Sequence, residues 1–130
     1  MRRLRVKGIV FSGKREGSRF IGLPWVKRQI VEKLGFTPFP GTLNIRLTKE
    51  ESRLKDSLED AEAIEISPAK GFGRGRCFKA IIMRKLRCAV VIPEILGYPE
   101  DVVEVTAAAN LRKKLGLKDG DCLEMDVLLE

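Results

Sequence analysis

Apolar residues at every second position, in runs of only a few residues, constrain the fold of this chain most. Over Cys122–Leu129 the series Leu123, Met125, Val127 and Leu129 alternates with outward positions, and Thr42–Leu47 repeats the pattern with Leu43, Ile45 and Leu47. A period of two sends successive side chains to opposite faces, so each run predicts a strand with one buried face. Arg5–Phe11, Ala63–Ile66, Cys77–Met83, Cys88–Ile92 and Val102–Thr106 read the same way. Two segments read as helices. In Pro24–Leu34, Pro24 suits the first turn, Val26, Ile30 and Leu34 recur every four residues, and Gly35 supplies the stop. In Asn110–Leu115, Asn110 caps the start and Gly116 ends the helix. Glu50–Leu58 fits either a short polar helix or a loop. Ser12–Arg19 reads as a Gly-containing polar loop, Thr37–Gly41 and Lys118–Asp121 as turns, and Gly71–Arg76 as a hairpin tip. Many closely spaced short strands with a few short helices predict a mainly β chain closed into a compact β-barrel. With 130 residues, the expectation is a single domain over 1–130.

The residue inventory narrows the chemistry. Histidine is absent, which removes Ser-His and Cys-His nucleophilic schemes and His-ligated metals. Cys77, Cys88 and Cys122 show no CxxC spacing, against both a disulfide framework and a zinc site; all three fall in apolar strand-like segments and are expected as buried thiols. Carboxylate, amide, hydroxyl and backbone groups remain, a set suited to a hard cation such as magnesium. No apolar run approaches a membrane span. The basic start, Met1–Lys7, has no apolar stretch behind it, so a cytoplasmic location is expected. The formal net charge is +7, and Lys70–Arg87 carries seven cations and no acid. Such a balance fits nucleic acid, a phosphorylated small molecule or simply a solvated hairpin.

Three places could carry chemistry. Thr42 and Asn44 share the strand face opposite Leu43, Ile45 and Leu47, just after the tight Pro40–Gly41 turn. Two neutral oxygens there could hold magnesium, with phosphates and waters completing the shell, although an ordinary polar strand face would look the same. Ser12–Arg19 combines glycines with Lys14, Arg15 and Arg19, so its amides could form an anion-binding nest. It lacks the Walker A pattern, and a plain turn has the same composition. Glu104 shares a strand face with Val102 and Thr106, opposite Val103 and Val105. It is either a general base or a solvent-facing glutamate.

Together these residues resemble a known family. Ser12-Gly13, Glu16-Gly17, Phe20, Leu23-Pro24-Trp25, Leu34-Gly35-Phe36 and Pro38–Asn44 are similar to the archaeal CTP-dependent riboflavin kinases. So are Val91-Ile92-Pro93, Tyr98–Asp101, Glu104 and Asn110–Asp121. The resemblance covers essentially the whole chain. It implies a six-stranded cradle-loop barrel of the riboflavin synthase and flavin-kinase kind. It also implies phosphorylation of the riboflavin 5′-hydroxyl by CTP with Mg²⁺, giving FMN and CDP. Carried over residue by residue, it implies magnesium ligands at Thr42 and Asn44 and a nucleotide phosphate loop at Gly13, Lys14, Arg15, Glu16, Gly17 and Ser18. A nucleotide-holding segment follows at Ala108, Ala109, Asn110, Leu111, Arg112 and Lys113, and a flavin-contacting, catalytic carboxylate at Glu104. There are two departures. Arg15 stands where the family loop usually has glycine, and Leu96 stands where relatives place a flavin-contacting threonine.

Two other readings compete at this level. One is a basic nucleic-acid-binding β-barrel without catalysis, suggested by the charge and by Lys70–Arg87. With aromatic residues at only 6%, the aromatic–basic interleaving of single-strand binders is missing, so no specific nucleic-acid partner is expected. The other is an interaction module that has lost its activity; intact Thr42, Asn44 and Glu104 speak against it.

Overall fold

The computed structural model describes residues 2–13, 16–49, 54–59, 61–67, 75–94 and 96–129. Its longest strand, β1 (Arg2–Phe11), lies antiparallel between β2 (Leu43–Leu47) and β7 (Cys122–Leu129). From β2 the sheet continues through β6 (Val102–Thr106) and β5 (Leu86–Pro93) to β4 (Gly75–Ile82). The second half of β4 then pairs with β7, Ala80 opposite Val127 and Ile82 opposite Met125. That pairing closes a six-stranded antiparallel barrel. The first half of β4 pairs instead with a short seventh strand, β3 (Ile64–Ile66). Among the described residues closure leaves no long free edge, the usual solution for an all-antiparallel sheet of short strands.

The alternating apolar positions fill the barrel. Val6, Val10, Leu43, Ile45, Leu47, Phe78, Val90, Val103, Val105, Leu123, Met125 and Val127 form one buried cluster inside it. A second cluster lies on the outer wall. There α1 (Glu16–Gly22) and α2 (Pro24–Leu34) lay Phe20, Ile21, Val26 and Ile30 over Cys77, Val91 and Ile66. Helix α2 starts without a side-chain cap. It ends on Gly35, whose left-handed backbone (φ 82°) lets its N–H reach the carbonyls of Ile30 and Val31. Helix α3 (Leu54–Glu59) confirms the helical option for part of Glu50–Leu58. Helix α4 (Leu111–Leu115) is capped by Asn110 and ended by Gly116, as the sequence predicts.

Three expectations change. The polar segment Ser12–Arg19 is not loop throughout, because α1 begins at Glu16, anchored by burial of Phe20 and Ile21. Cys122 is exposed, whereas Cys77 and Cys88 are buried. The alternation that turns Leu123 inward turns Cys122 outward. Burial pushes the thiols of Cys77 and Cys88 up to about 12, so both are inert at neutral pH. The third concerns β6. All five of its residues are buried, so neither face meets solvent. Most of the expected hairpin tip, residues 71–74, lies outside the described residues.

Candidate active site

The site begins with the register between β2 and β6. Leu43 lies opposite Val105 and Ile45 opposite Val103, all four inside the barrel, so the intervening pair Asn44 and Glu104 face each other on its outer wall. Glu104 is only 1% exposed. A carboxylate is buried at tolerable cost only if its oxygens are hydrogen-bonded. Here the hydroxyl of Thr42, one residue before β2, donates to Oε1. The phenol of Tyr98, from the β5–β6 connection, donates to Oε2 at 2.7 Å. Glu104 is therefore held from two sides by neutral hydroxyls, one on each carboxylate oxygen.

Around this pair the chain leaves two cavities. One, of about 340 Å³, is lined by Phe11, Gly13, Asn44, Arg46, Tyr98 and Glu104 among others. Its walls are partly aromatic, and the Arg46 guanidinium lies 4.6 Å from the centre of the Phe11 ring while pairing with Asp101 at 3.1 Å. The other, of about 150 Å³, is lined by Phe39, Gly41, Thr42, Ala109, Asn110 and Arg112 among others. Thr42 borders the small cavity and Glu104 the large one, so their hydrogen bond lies where the two approach each other. Gly13 packs directly on Asn44. A Cβ at position 13 would come 2.5 Å from Asn44 Oδ1, so only glycine leaves the amide in place.

A third network joins the two sides. Asp119 accepts from the Ser12 hydroxyl at 2.7 Å and from the Arg112 guanidinium at 2.6 Å, and Arg112 also donates to the Phe11 carbonyl at 3.1 Å. Those two donors, Ser12 first, hold the Asp119 carboxyl below the usual carboxylate range. The end of β1, two residues before Gly13, is thereby tied to the start of α4.

The profile of the family CTP-dep_RFKase, described as Domain of unknown function DUF120, matches residues 10–127. The chain belongs to that family. Among curated proteins it is 42% identical over 130 residues to a riboflavin kinase of Archaeoglobus fulgidus, covering 97% of this chain and 55% of that protein. It is 42% identical over 130 residues to a riboflavin kinase of Pyrobaculum arsenaticum, covering 97% of this chain and 61% of the relative. A riboflavin kinase of Methanosarcina barkeri is 38% identical over 122 residues, covering 91% of this chain and 54% of its own length. The chain thus spans little more than half the length of these relatives.

The positions read from the family resemblance fall as follows. Thr42, Asn44, Glu104 and Gly13 come together as described. Lys14 and Arg15 lie outside the described residues, and Glu16, Gly17 and Ser18 open α1. In the segment Ala108–Lys113, Ala109, Asn110, Leu111 and Arg112 line the smaller cavity, while Ala108 and Lys113 are exposed. Leu111 is also a core residue, and the Asn110 side chain is engaged in capping α4 by accepting from the Lys113 N–H. Leu96 is fully exposed and does not line either cavity. Tyr98, two residues on, does line one; sequence reasoning noted it only as part of the motif Tyr98–Asp101, although it is the only tyrosine in the chain. Of the basic stretch, Arg76 is turned inward, donating to the carbonyls of Leu58 and Ala61 and lying over Phe78. Among the described residues no helix is long and apolar enough to cross a membrane.

Proposed function

We propose that this chain transfers the γ-phosphoryl group of CTP to the 5′-hydroxyl of riboflavin, giving FMN and CDP, and that residues 1–130 act as one kinase domain. The observation that carries the reading is the cluster of half-buried Thr42 and Asn44 with buried Glu104, between a larger, partly aromatic cavity and a smaller one beside α4. The larger cavity suits the flavin, with its planar ring and ribityl chain, and the smaller suits part of the nucleotide. The choice of CTP as donor rests on membership of the family.

The oxygens present fit a divalent cation of the magnesium type. Thr42 donates its proton to Glu104, so its hydroxyl oxygen faces a cation as a neutral donor of the kind magnesium accepts, and the Asn44 amide is seated against Gly13. Thr42 and Asn44 would hold Mg²⁺, which supplies charge neutralisation for the phosphates when bound. The remaining work belongs to the protein. Phosphoryl transfer has a loose transition state, so positioning and electrostatics outweigh covalent chemistry. Backbone amides from Gly13 to Ser18 would bind phosphate oxygens, with Lys14 and Arg15 adding charge. Glu104, which borders the larger cavity, would accept the hydrogen bond of the riboflavin 5′-hydroxyl. It orients that oxygen for in-line attack and takes its proton as the new bond forms. The ion pair of Asp119 with Arg112, and its bond to Ser12, would keep the phosphate-binding end of β1 in register with the nucleotide segment.

Incubation with riboflavin, magnesium and each nucleoside triphosphate in turn, followed by chromatography, tests the proposal. FMN should appear, fastest with CTP. Absence of FMN with every nucleotide overturns the kinase reading.

A further inference from the structure

Tyr98 sits on the β5–β6 connection, next to Gly97 with its left-handed backbone (φ 82°) and beyond the fully exposed Leu96. Yet its ring is half-buried, lines the larger cavity, and sends its hydroxyl to the least accessible carboxylate in the neighbourhood. Each Glu104 oxygen receives one hydroxyl, Thr42 on Oε1 and Tyr98 on Oε2. With both oxygens tethered, rotation of the carboxylate about its terminal bond breaks both of these hydrogen bonds. With Tyr98 removed, the tether on Oε2 is gone and such rotation costs less. The two tethers differ in kind. Thr42 belongs to the barrel wall, whereas Tyr98 arrives from a surface connection that also carries Pro99 and Asp101, the ion-pair partner of Arg46.

We infer that Tyr98 is a positioning residue, whose hydroxyl fixes the plane of the Glu104 carboxylate toward the acceptor hydroxyl while its ring walls the acceptor cavity. The inference rests on the kinase reading for the identity of the acceptor, not for the hydrogen bond. Hydrogen bonds to charged groups are worth more than neutral ones. Loss of the phenol oxygen should therefore be felt by Glu104 as misorientation rather than as unfolding.

The test is a double-mutant cycle of Tyr98→Phe and Glu104→Gln, read in two ways: FMN formation, and riboflavin affinity without nucleotide by quenching of flavin fluorescence. Phenylalanine keeps the ring, so the fold and the cavity wall survive, checked by thermal melting. Tyr98→Phe should lower kcat about 10–100-fold, leave the KM for CTP unchanged, and weaken riboflavin binding severalfold. In the Glu104→Gln background the same substitution should change neither quantity further, because its effect passes through Glu104. A purely structural tyrosine would give additive losses. Wild-type kcat in Tyr98→Phe, or additive losses in the cycle, overturns the inference while leaving the kinase reading intact. If the wild type binds riboflavin but forms no FMN with any nucleotide, the kinase reading falls and the binding arm of the cycle alone decides the role of Tyr98. Failure to bind riboflavin overturns both.

Discussion

Glu104→Gln is the sharpest perturbation the site offers. The amide keeps the shape of a side chain that is almost wholly buried and held by the hydroxyls of Thr42 and Tyr98. One hydroxyl can still donate to the amide oxygen. The other must turn and accept from the NH₂ group, which a hydroxyl can do. Two hydrogen bonds to a charged acceptor, worth about 1.5–3 kcal/mol each, become neutral ones worth about 0.5–1.5. Relief from burying a charge offsets much of that loss. The net change in stability should stay within about 2 kcal/mol, and the variant should fold. Its chemistry should suffer far more, because the amide cannot take a proton. A positioned general base typically contributes about 10²–10⁴-fold, or about 3–5.5 kcal/mol of barrier at about 1.36 kcal/mol per tenfold. Glu104→Ala makes the contrast, since it removes the carboxylate that both hydroxyls bond and opens a cavity; it should destabilise by about 3 kcal/mol or more. The assay measures CTP affinity by calorimetry and FMN formation on the same preparation. Near-normal CTP binding with turnover down at least a hundredfold is the expected result. Normal turnover, or a defect mainly in CTP affinity, would refute the role given to Glu104.

Two further predictions test the frame around it. Gly13→Ala should displace the Asn44 amide, since its Cβ would lie 2.5 Å from Oδ1; turnover should fall and the magnesium requirement should rise, as in Asn44→Ala, with melting temperatures close to wild type. A wild-type magnesium titration in both variants would remove Asn44 from the metal site. At the β4–β5 hairpin, Met83 and Arg84 both hold positive φ (50° and 57°) in a turn closed by the Lys85 N–H on the Ile82 carbonyl. Left-handed backbone costs an L-residue about 1–2 kcal/mol. Replacing the pair by Asn-Gly should therefore stabilise the protein by about 0.5–1 kcal/mol and raise Tm by about 2–4 °C. An unchanged or lowered Tm would show that the present side chains offset the strain.

Much of this fold is legible in the sequence, for identifiable reasons. Strands β6 and β7 and helix α4 match their predicted bounds because alternation and the punctuation of Asn110 and Gly116 act locally. Strand β1 begins earlier than its apolar pattern indicates. Arg2 and Arg3 are drawn into the ladder by pairing with Leu129 and Leu128, a partner 127 residues away in the first case. Helix α1 contains two glycines, and no sequence period marks it; it forms because Phe20 and Ile21 have an outer cluster to enter. The facing of Thr42 and Asn44 away from the core follows from alternation alone. The burial of Glu104 does not, because it depends on a surface connection that folds Tyr98 back over the outer wall. For the same reason Tyr98, rather than Leu96, is the residue of that connection lining the cavity.

The kinase reading is met most directly by following the transferred group. The protein is incubated with riboflavin, magnesium and CTP carrying an isotopic label on the γ-phosphate, and the flavin and nucleotide products are separated. Direct transfer predicts one label in each FMN formed, one unlabelled CDP for each FMN, and almost no transfer by Glu104→Gln. Label released as free phosphate with riboflavin unchanged would contradict it.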